Sequence, residues 1–390
     1  NVQSIIEKCI LEYNEEKPSK NTAVVVADPS NGEILGMASY PTFNLNDPRK
    51  LTGMYTDEEI KDMSDEEYRN NLYSLWTNYC VSESYEPGST FKPVTVASAL
   101  EEGVVKDGDT YVCKGFETVA DYKLKCHVFS TIGSHGSLTV EQALMNSCNP
   151  YMIHLALEMG NSRFAYYQSL FGFGKITGID LPGETTGIVY GDRMTTIDAA
   201  CNSFGQTINV NMMQMMAAYC SIINGGMLYQ PHIVKRIESA NGEVVKEYKA
   251  NLVRQTITAS TSKLLRRYLK NTVEEGTAKK AGVTGYSVAG KTGTAQKGDR
   301  KDNKWIISFI GHAPAENPKF AIYVVIDEPY GTTGTSGSSA DVLTLTHNIL
   351  EKLLPYMNVY KDASDEYEDT SSSPDELTVD GIPAGTASSN

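Results

Sequence analysis

The sequence predicts an α+β fold, an antiparallel five-stranded sheet flanked by helices with a helical subdomain between its strands. Three observations predict it. Apolar runs of strand length gather toward the two ends of the chain, helical patterns fill the middle, and strands and helices do not alternate as a doubly wound parallel sheet requires. With 390 residues and 41% hydrophobic content, the chain can bury a sizeable core in one large domain or two.

Residues 1–15 carry Ile5, Ile6, Ile10 and Leu11 at helical spacing, so residues 1–20 read as an N-terminal helix leading into the core. Residues 22–28 form a buried strand, Asn31-Gly32 a tight turn, and residues 33–39 the returning strand. Residues 41–80 are mostly polar and read as a surface insert. Capping-box patterns at Thr56/Glu59 and Ser64/Glu67 predict two short helices there. Pro87-Gly88 stops the preceding segment, and Val94, Val96, Ala97, Ala99 and Leu100 give residues 89–102 the buried face of a helix. Further helical stretches cover 138–157, 162–170 and 208–223. Met212, Met213, Met215 and Met216 in the last read as adaptable core. Residues 260–275 form a helix that Gly276 ends. Three strands follow at 285–294, 305–313 and 320–326, closing a core domain expected to span 21–356. Residues 361–390 are acidic, rich in Ser and Thr and poor in apolar side chains, which predicts a disordered tail.

A net charge of -14 argues against nucleic acid or an anionic membrane surface as the main partner. The chain contains no run of about 18 apolar residues and no signal peptide. Asn1 is not an initiator Met, so the chain is expected to begin after processing or partway through a longer product.

Ser89 and Lys92 in Ser89-Thr90-Phe91-Lys92 lie one helical turn apart on one face, as a serine nucleophile and its base require. Ser89 is expected at a helix N-terminus, where free N–H groups and the dipole favour developing negative charge. Ser147-Cys148-Asn149, just before Pro150, offers a hydroxyl for proton relay and an amide that can bind a peptide carbonyl. Lys291-Thr292-Gly293-Thr294 is expected on a strand lining a cleft. There Lys291 supplies positive charge, Gly293 leaves room for a substrate backbone, and Thr292 and Thr294 can hold a carboxylate. The run 285–292 also satisfies the phosphate-loop pattern G-x-x-x-x-G-K-T, with Asp327 and Glu328 ending an apolar strand downstream. Its context argues against an ATPase, because the flanking residues predict neither the preceding strand nor the following helix that such a loop needs.

The seven cysteines suit no disulfide scaffold. Cys9, Cys80, Cys201 and Cys220 are scattered, whereas Cys113, Cys126 and Cys148 fall close together with His135 among them. Three thiols and an imidazole are the soft set that a tetrahedral Zn2+ prefers. The gaps exceed those of a compact zinc knuckle, so buried thiols or a Cys113–Cys126 disulfide stay open as alternatives.

The chain resembles the penicillin-binding transpeptidases of peptidoglycan synthesis, in particular the monofunctional class B type, over residues 20–356. The resemblance rests on residues 25–38, on Tyr85-Glu86-Pro87-Gly88-Ser89-Thr90-Phe91-Lys92-Pro93, on Asp180-Leu181-Pro182-Gly183-Glu184, on Ser203-Phe204-Gly205-Gln206, on Asn224-Gly225-Gly226 and on Lys291-Thr292-Gly293-Thr294. It implies the fold shared with serine β-lactamases and a D,D-transpeptidase that β-lactams inhibit. Ser89 would attack the D-Ala-D-Ala carbonyl of a stem peptide, Lys92 would take its proton, and Ser147 and Lys291 would relay a proton to the departing amine. The N–H groups of Ser89 and Thr294 would form the oxyanion hole. Asn149 would hold the donor peptide, and Thr292 and Thr294 its carboxylate. Some relatives of the elongation type carry zinc in the region matching residues 104–137, which implies Cys113, Cys126, His135 and Cys148 as ligands and His127 as a substitute. The resemblance further implies a membrane anchor in the full-length protein, a place on the outer face of the cytoplasmic membrane, and a polymerase partner of the shape, elongation or division type. No organic cofactor is expected. A D,D-carboxypeptidase, a serine β-lactamase or a β-lactam sensor would carry the same three elements, while an inactive wall-binding scaffold would be expected to lack one.

Overall fold

The first apolar run and its return form β1 (Ser19–Ala27) and β2 (Ile34–Tyr40). Asp28 shapes their turn, its carboxylate accepting from Ser30 N at 2.8 Å while Gly32 N donates to Asp28 O at 3.0 Å. The late strands are β3 (Ala289–Lys297), β4 (Lys304–Ala313) and β5 (Phe320–Pro329). They join in the order β3-β4-β5-β1-β2, antiparallel throughout, with Val24 opposite Val324 where the two ends of the chain meet. This computed structural model describes residues 1–51, 54–298, 304–329 and 339–363.

The period of two along each strand divides the sheet into two buried faces. Val24, Val26, Phe309, Val324 and Ile326 point to an outer layer, Ala23, Val25, Ile310, Tyr323 and Val325 to an inner one. The outer layer begins with α1 (Val2–Glu16), which buries Ile6 and Ile10. The inner layer is built by α2 (Lys92–Glu102), α3 (Val140–Met145), α4 (Asn149–Met159), α5 (Met212–Ile223) and α6 (Ala259–Glu274). All four methionines of α5 are buried in that core. The outer layer is completed by α7 (Ser339–Tyr356), which packs beside α1 and buries Ile349, Leu350 and Leu353 completely. Each such side chain contributes about 1.5–3 kcal/mol from burial.

Three sequence expectations need correction. The stretch 138–157 is not one helix: residues 136–139 pair as a strand, α3 follows, and the chain breaks at residues 146–148 before α4. Ser147 causes the break, since its φ of 54° lies in the left-handed region and cannot continue a helix. The strand expected at 285–294 runs instead from Ala289 to Lys297, because residues 283–286 close a turn and Gln296 and Lys297 still pair with Trp305 and Lys304. Residues 88–91 form a 3-10 turn, so the α-helix proper starts at Lys92.

The insert after β2 holds the helices Asp57–Asp62 and Asp65–Trp76, capped by Thr56 and Ser64, around a small core of Leu51, Leu72 and Leu75. Asp362 accepts from Ser287 N at 2.7 Å, and residues 364–390 of the expected tail lie outside the described residues. Among the described residues, no helix is long and apolar enough to cross a membrane.

Candidate active site and metal cluster

Ser89 is half-buried in the 3-10 turn that leads into α2, and two glycines set that turn against β3. Gly88 has φ 57°, and a Cβ there would stand 2.6 Å from Thr294 O. Gly205, at φ 80°, backs onto Gly88 and accepts from Gly88 N at 3.0 Å. Only glycine permits both the left-handed backbone and this approach. The space at Gly293 is taken by the same turn, since a Cβ there would lie 2.9 Å from both Pro87 O and Thr90 Cγ2. Below it, Thr90 Oγ1 donates to Pro87 O at 2.7 Å, and Tyr85 Oη donates to Tyr323 Oη at 3.0 Å, all buried. Sequence reasoning missed this tyrosine support, and only the glycines at 88 and 205 hinted that the turn needs backing.

Lys92 is fully buried, and its Nζ lies 2.6 Å from Ser147 O, 2.9 Å from Ser147 Oγ and 2.6 Å from Asn149 Oδ1. The left-handed backbone of Ser147 turns both its carbonyl and its hydroxyl toward this amine. Burial pulls the Lys92 pKa down to about 8, while the Cys126 and Cys148 thiols pull in the opposite direction. Among the described residues no carboxylate compensates it, so the ammonium gives up its proton far more readily than an exposed lysine. Asn149 opens α4 and reaches back through Nδ2 to Lys125 O at 3.4 Å.

Lys291 is also fully buried, on β3, and donates to Thr292 O at 3.2 Å. Burial first, then the positive charge of Lys92, hold it well below the ordinary lysine range. Thr292 Oγ1 donates to Thr277 Oγ1 at 3.4 Å, and Thr294 is exposed. Ser89, Lys92, Ser147, Asn149 and the Lys291–Thr294 strand are thus brought together, although among the described residues no hydrogen bond joins Ser89 Oγ to Lys92 Nζ. Lys291 lies within a paired strand with no helix following it directly, which removes the phosphate-loop reading.

Cys113, Cys126, His135 and Cys148 converge so that one ligand atom from each lies within 4.8 Å of the others. His135 Nδ1 stands 3.5 Å from Cys126 Sγ and 3.9 Å from Cys113 Sγ. A tetrahedron with metal–sulfur bonds of about 2.3 Å has edges of about 3.8 Å, so the donors fit zinc in type and separation. All of these cysteines are free thiols, which removes the Cys113–Cys126 disulfide. The contact between Cys126 and Cys148 drives the two thiols apart, holding Cys126, also helped by His127 and His135, well below its usual range and pushing Cys148 well above it. His127 Nδ1 lies 3.8 Å from Cys126 Sγ but outside the cluster of four.

The chain matches the penicillin binding protein transpeptidase domain over residues 22–351. Stage V sporulation protein D of Bacillus subtilis is 39% identical to it over 365 residues, covering 92% of this chain and 53% of that protein. Peptidoglycan D,D-transpeptidase FtsI of Escherichia coli K12 is 30% identical over 351 residues, covering 88% of this chain and 53% of that protein. The chain spans about half the length of the curated relatives it matches. Penicillin-binding protein 3 of Mycobacterium tuberculosis, complexed with aztreonam, has TM-score 0.78 and 26% identity, covering 93% of this chain and 79% of that one. The transpeptidase domain of penicillin-binding protein 3 from Burkholderia pseudomallei, 24% identical at TM-score 0.75 with 93% and 96% covered, shares the fold.

Proposed function

Because the chain belongs to the penicillin binding protein transpeptidase family, class B, we propose that it cross-links peptidoglycan stem peptides through an acyl-enzyme on Ser89. The observation that carries this reading is the buried amine of Lys92, held by Ser147 and Asn149 one turn from Ser89 without a carboxylate partner among the described residues. A neutral Lys92 has a lone pair for the Ser89 proton. Ser89 Oγ then attacks the carbonyl of the penultimate D-Ala, and the resulting oxyanion is held by the N–H groups of Ser89 and Thr294. Ser147, bonded to Lys92, passes that proton to the nitrogen of the departing D-Ala, with Lys291 supporting the relay, and the C–N bond breaks. Asn149 positions the donor backbone, while Thr292 and Thr294 face its terminal carboxylate. An amine of a second stem peptide then attacks the Ser89 ester and restores the hydroxyl.

Residues 21–356 act as the catalytic unit, with 104–137 as its metal-binding insert. Cys113, Cys126, His135 and Cys148 would hold a structural zinc, which supplies a cross-link from the insert to the loop bearing Ser147 and Asn149. Cys148 stands between those two residues, so ligation would fix their backbone. The same proposal places the full-length protein on the outer face of the cytoplasmic membrane, anchored there and working with a polymerase. The test is incubation with a D-Ala-D-Ala donor peptide and an acceptor amine, read by mass spectrometry. Release of D-Ala with a new amide supports transpeptidation, whereas release with hydrolysed donor alone makes the protein a carboxypeptidase.

A further inference from the structure

Past Thr294 on β3 lies a pocket of about 460 Å³ lined by Glu86, Thr207, Asn209, Ala295, Gln296 and Lys297, among others. Two observations give it a ligand chemistry. First, among the described residues β3 pairs with β4 alone, as an edge strand of the sheet. A donor backbone that adds to its free edge antiparallel, with the carboxylate near Thr292 and the scissile carbonyl near Thr294, advances about 3.3 Å per residue and sets its preceding residue beside Ala295, on the wall of this pocket.

Second, the pocket holds one uncompensated charge among the described residues. Glu86 lies three residues before Ser89, half-buried, and its Oε1 accepts from Thr207 N at 2.8 Å. Its other oxygen makes no hydrogen bond among the described residues. The cation nearby is already committed, since Lys297 Nζ lies 2.9 Å from both Asp327 and Glu328 carboxylates. Burial raises the Glu86 pKa and the Thr207 N–H bond opposes that rise.

We propose that this pocket reads the donor residue preceding D-Ala-D-Ala, taking its side-chain ammonium against Glu86. The inference rests on the transpeptidase reading above. A peptide that is donor in one turnover and acceptor in the next must carry an amine on that stem. On the donor strand this amine is held away from the Ser89 ester, which leaves the ester to the amine of the second strand. Glu86 is therefore a specificity residue outside the acyl-transfer machinery.

The test compares two soluble peptides ending in Lys-D-Ala-D-Ala, one with a free lysine side chain and one Nε-acetylated, as protectors of Ser89 against benzylpenicillin. The wild-type protein should need about tenfold less of the free-amine peptide. Glu86→Gln keeps an oxygen for Thr207 N–H, and it should bring the two peptides to within about twofold of each other. Equal protection, or none, by both peptides in the wild type overturns the inference, as does a preference that survives in Glu86→Gln. Benzylpenicillin labelling of the wild-type protein separates the two levels. Loss of labelling defeats the transpeptidase reading, whereas normal labelling without peptide preference defeats only the role of Glu86.

Discussion

Lys92 and Ser147 meet twice, the Lys92 amine lying 2.6 Å from the Ser147 carbonyl and 2.9 Å from its hydroxyl. This double contact depends on the left-handed backbone of Ser147, which ends α3 and presents both oxygens to one buried nitrogen. The amine proposed as the base and the hydroxyl proposed as its relay are thereby fixed relative to each other.

Acylation should depend on pH through Lys92. Its pKa is lowered from 10.5 to about 8 by burial, so the neutral base becomes available as pH rises. The rate of acylation by benzylpenicillin should climb about tenfold per pH unit below 8 and level off above it. The sign for stability follows the same shift. Between about pH 8 and 10.5 the unfolded state holds this proton and the folded state does not, so this group makes the protein more stable as pH rises through that window. Lys92→Ala should abolish the acylation, and a retained profile would exclude Lys92 as the base.

Gly205→Ala should slow acylation through the position of Ser89. Its Cβ would press on Gly88 O from a backbone at φ 80°, where an L side chain is strained. A loss of about 1–3 kcal/mol in stability and a drop of about tenfold or more in acylation rate are expected, read by thermal melts and labelling kinetics. Gly103→Ala is the control, because it also has positive φ but nothing within 4 Å of its Cβ. It should cost stability without the same loss of acylation.

Tyr323→Phe removes the hydroxyl that accepts from Tyr85 and lies 3.5 Å from Thr90. Both partners are buried, so about 1 kcal/mol or more of stability should be lost. Because Thr90 belongs to the Ser89 turn, the acylation rate should fall as well, and an unchanged rate would limit the tyrosine pair to a purely structural role.

Removal of the proposed zinc, verified by elemental analysis, should lower Tm by about 5 °C or more and slow acylation. Cys113→Ser gives the cleaner comparison. Cys113 contributes to the cluster from the strand Thr110–Cys113, away from the loop that carries Ser147 and Asn149. An unchanged Tm and acylation rate in the metal-free protein would separate the cluster from the active site.

The sheet was legible because its strands are short apolar runs with turn residues between them, as in residues 22–28 and 320–326. The metal cluster was legible as a ligand set and not as a geometry, since long gaps between Cys113, Cys126, His135 and Cys148 do not announce convergence. The break at Ser147 was hidden because nothing in a serine's identity signals a left-handed backbone or the tertiary contact with Lys92 that accompanies it. No sequence expectation covered α7, although Val342, Leu345, Ile349 and Leu353 recur at helical spacing. Glu86 was quoted as part of a motif, yet its charge became informative only once Lys297 was seen paired with Asp327 and Glu328.

The most direct test of the account is the intact mass of the chain after benzylpenicillin, measured on the wild-type protein and on Ser89→Ala. The account predicts one stable adduct of the mass of the drug on the wild type, mapped to the peptide containing Ser89, and none on the variant. An adduct that persists in Ser89→Ala, or a folded wild-type protein that never acquires one, would contradict it.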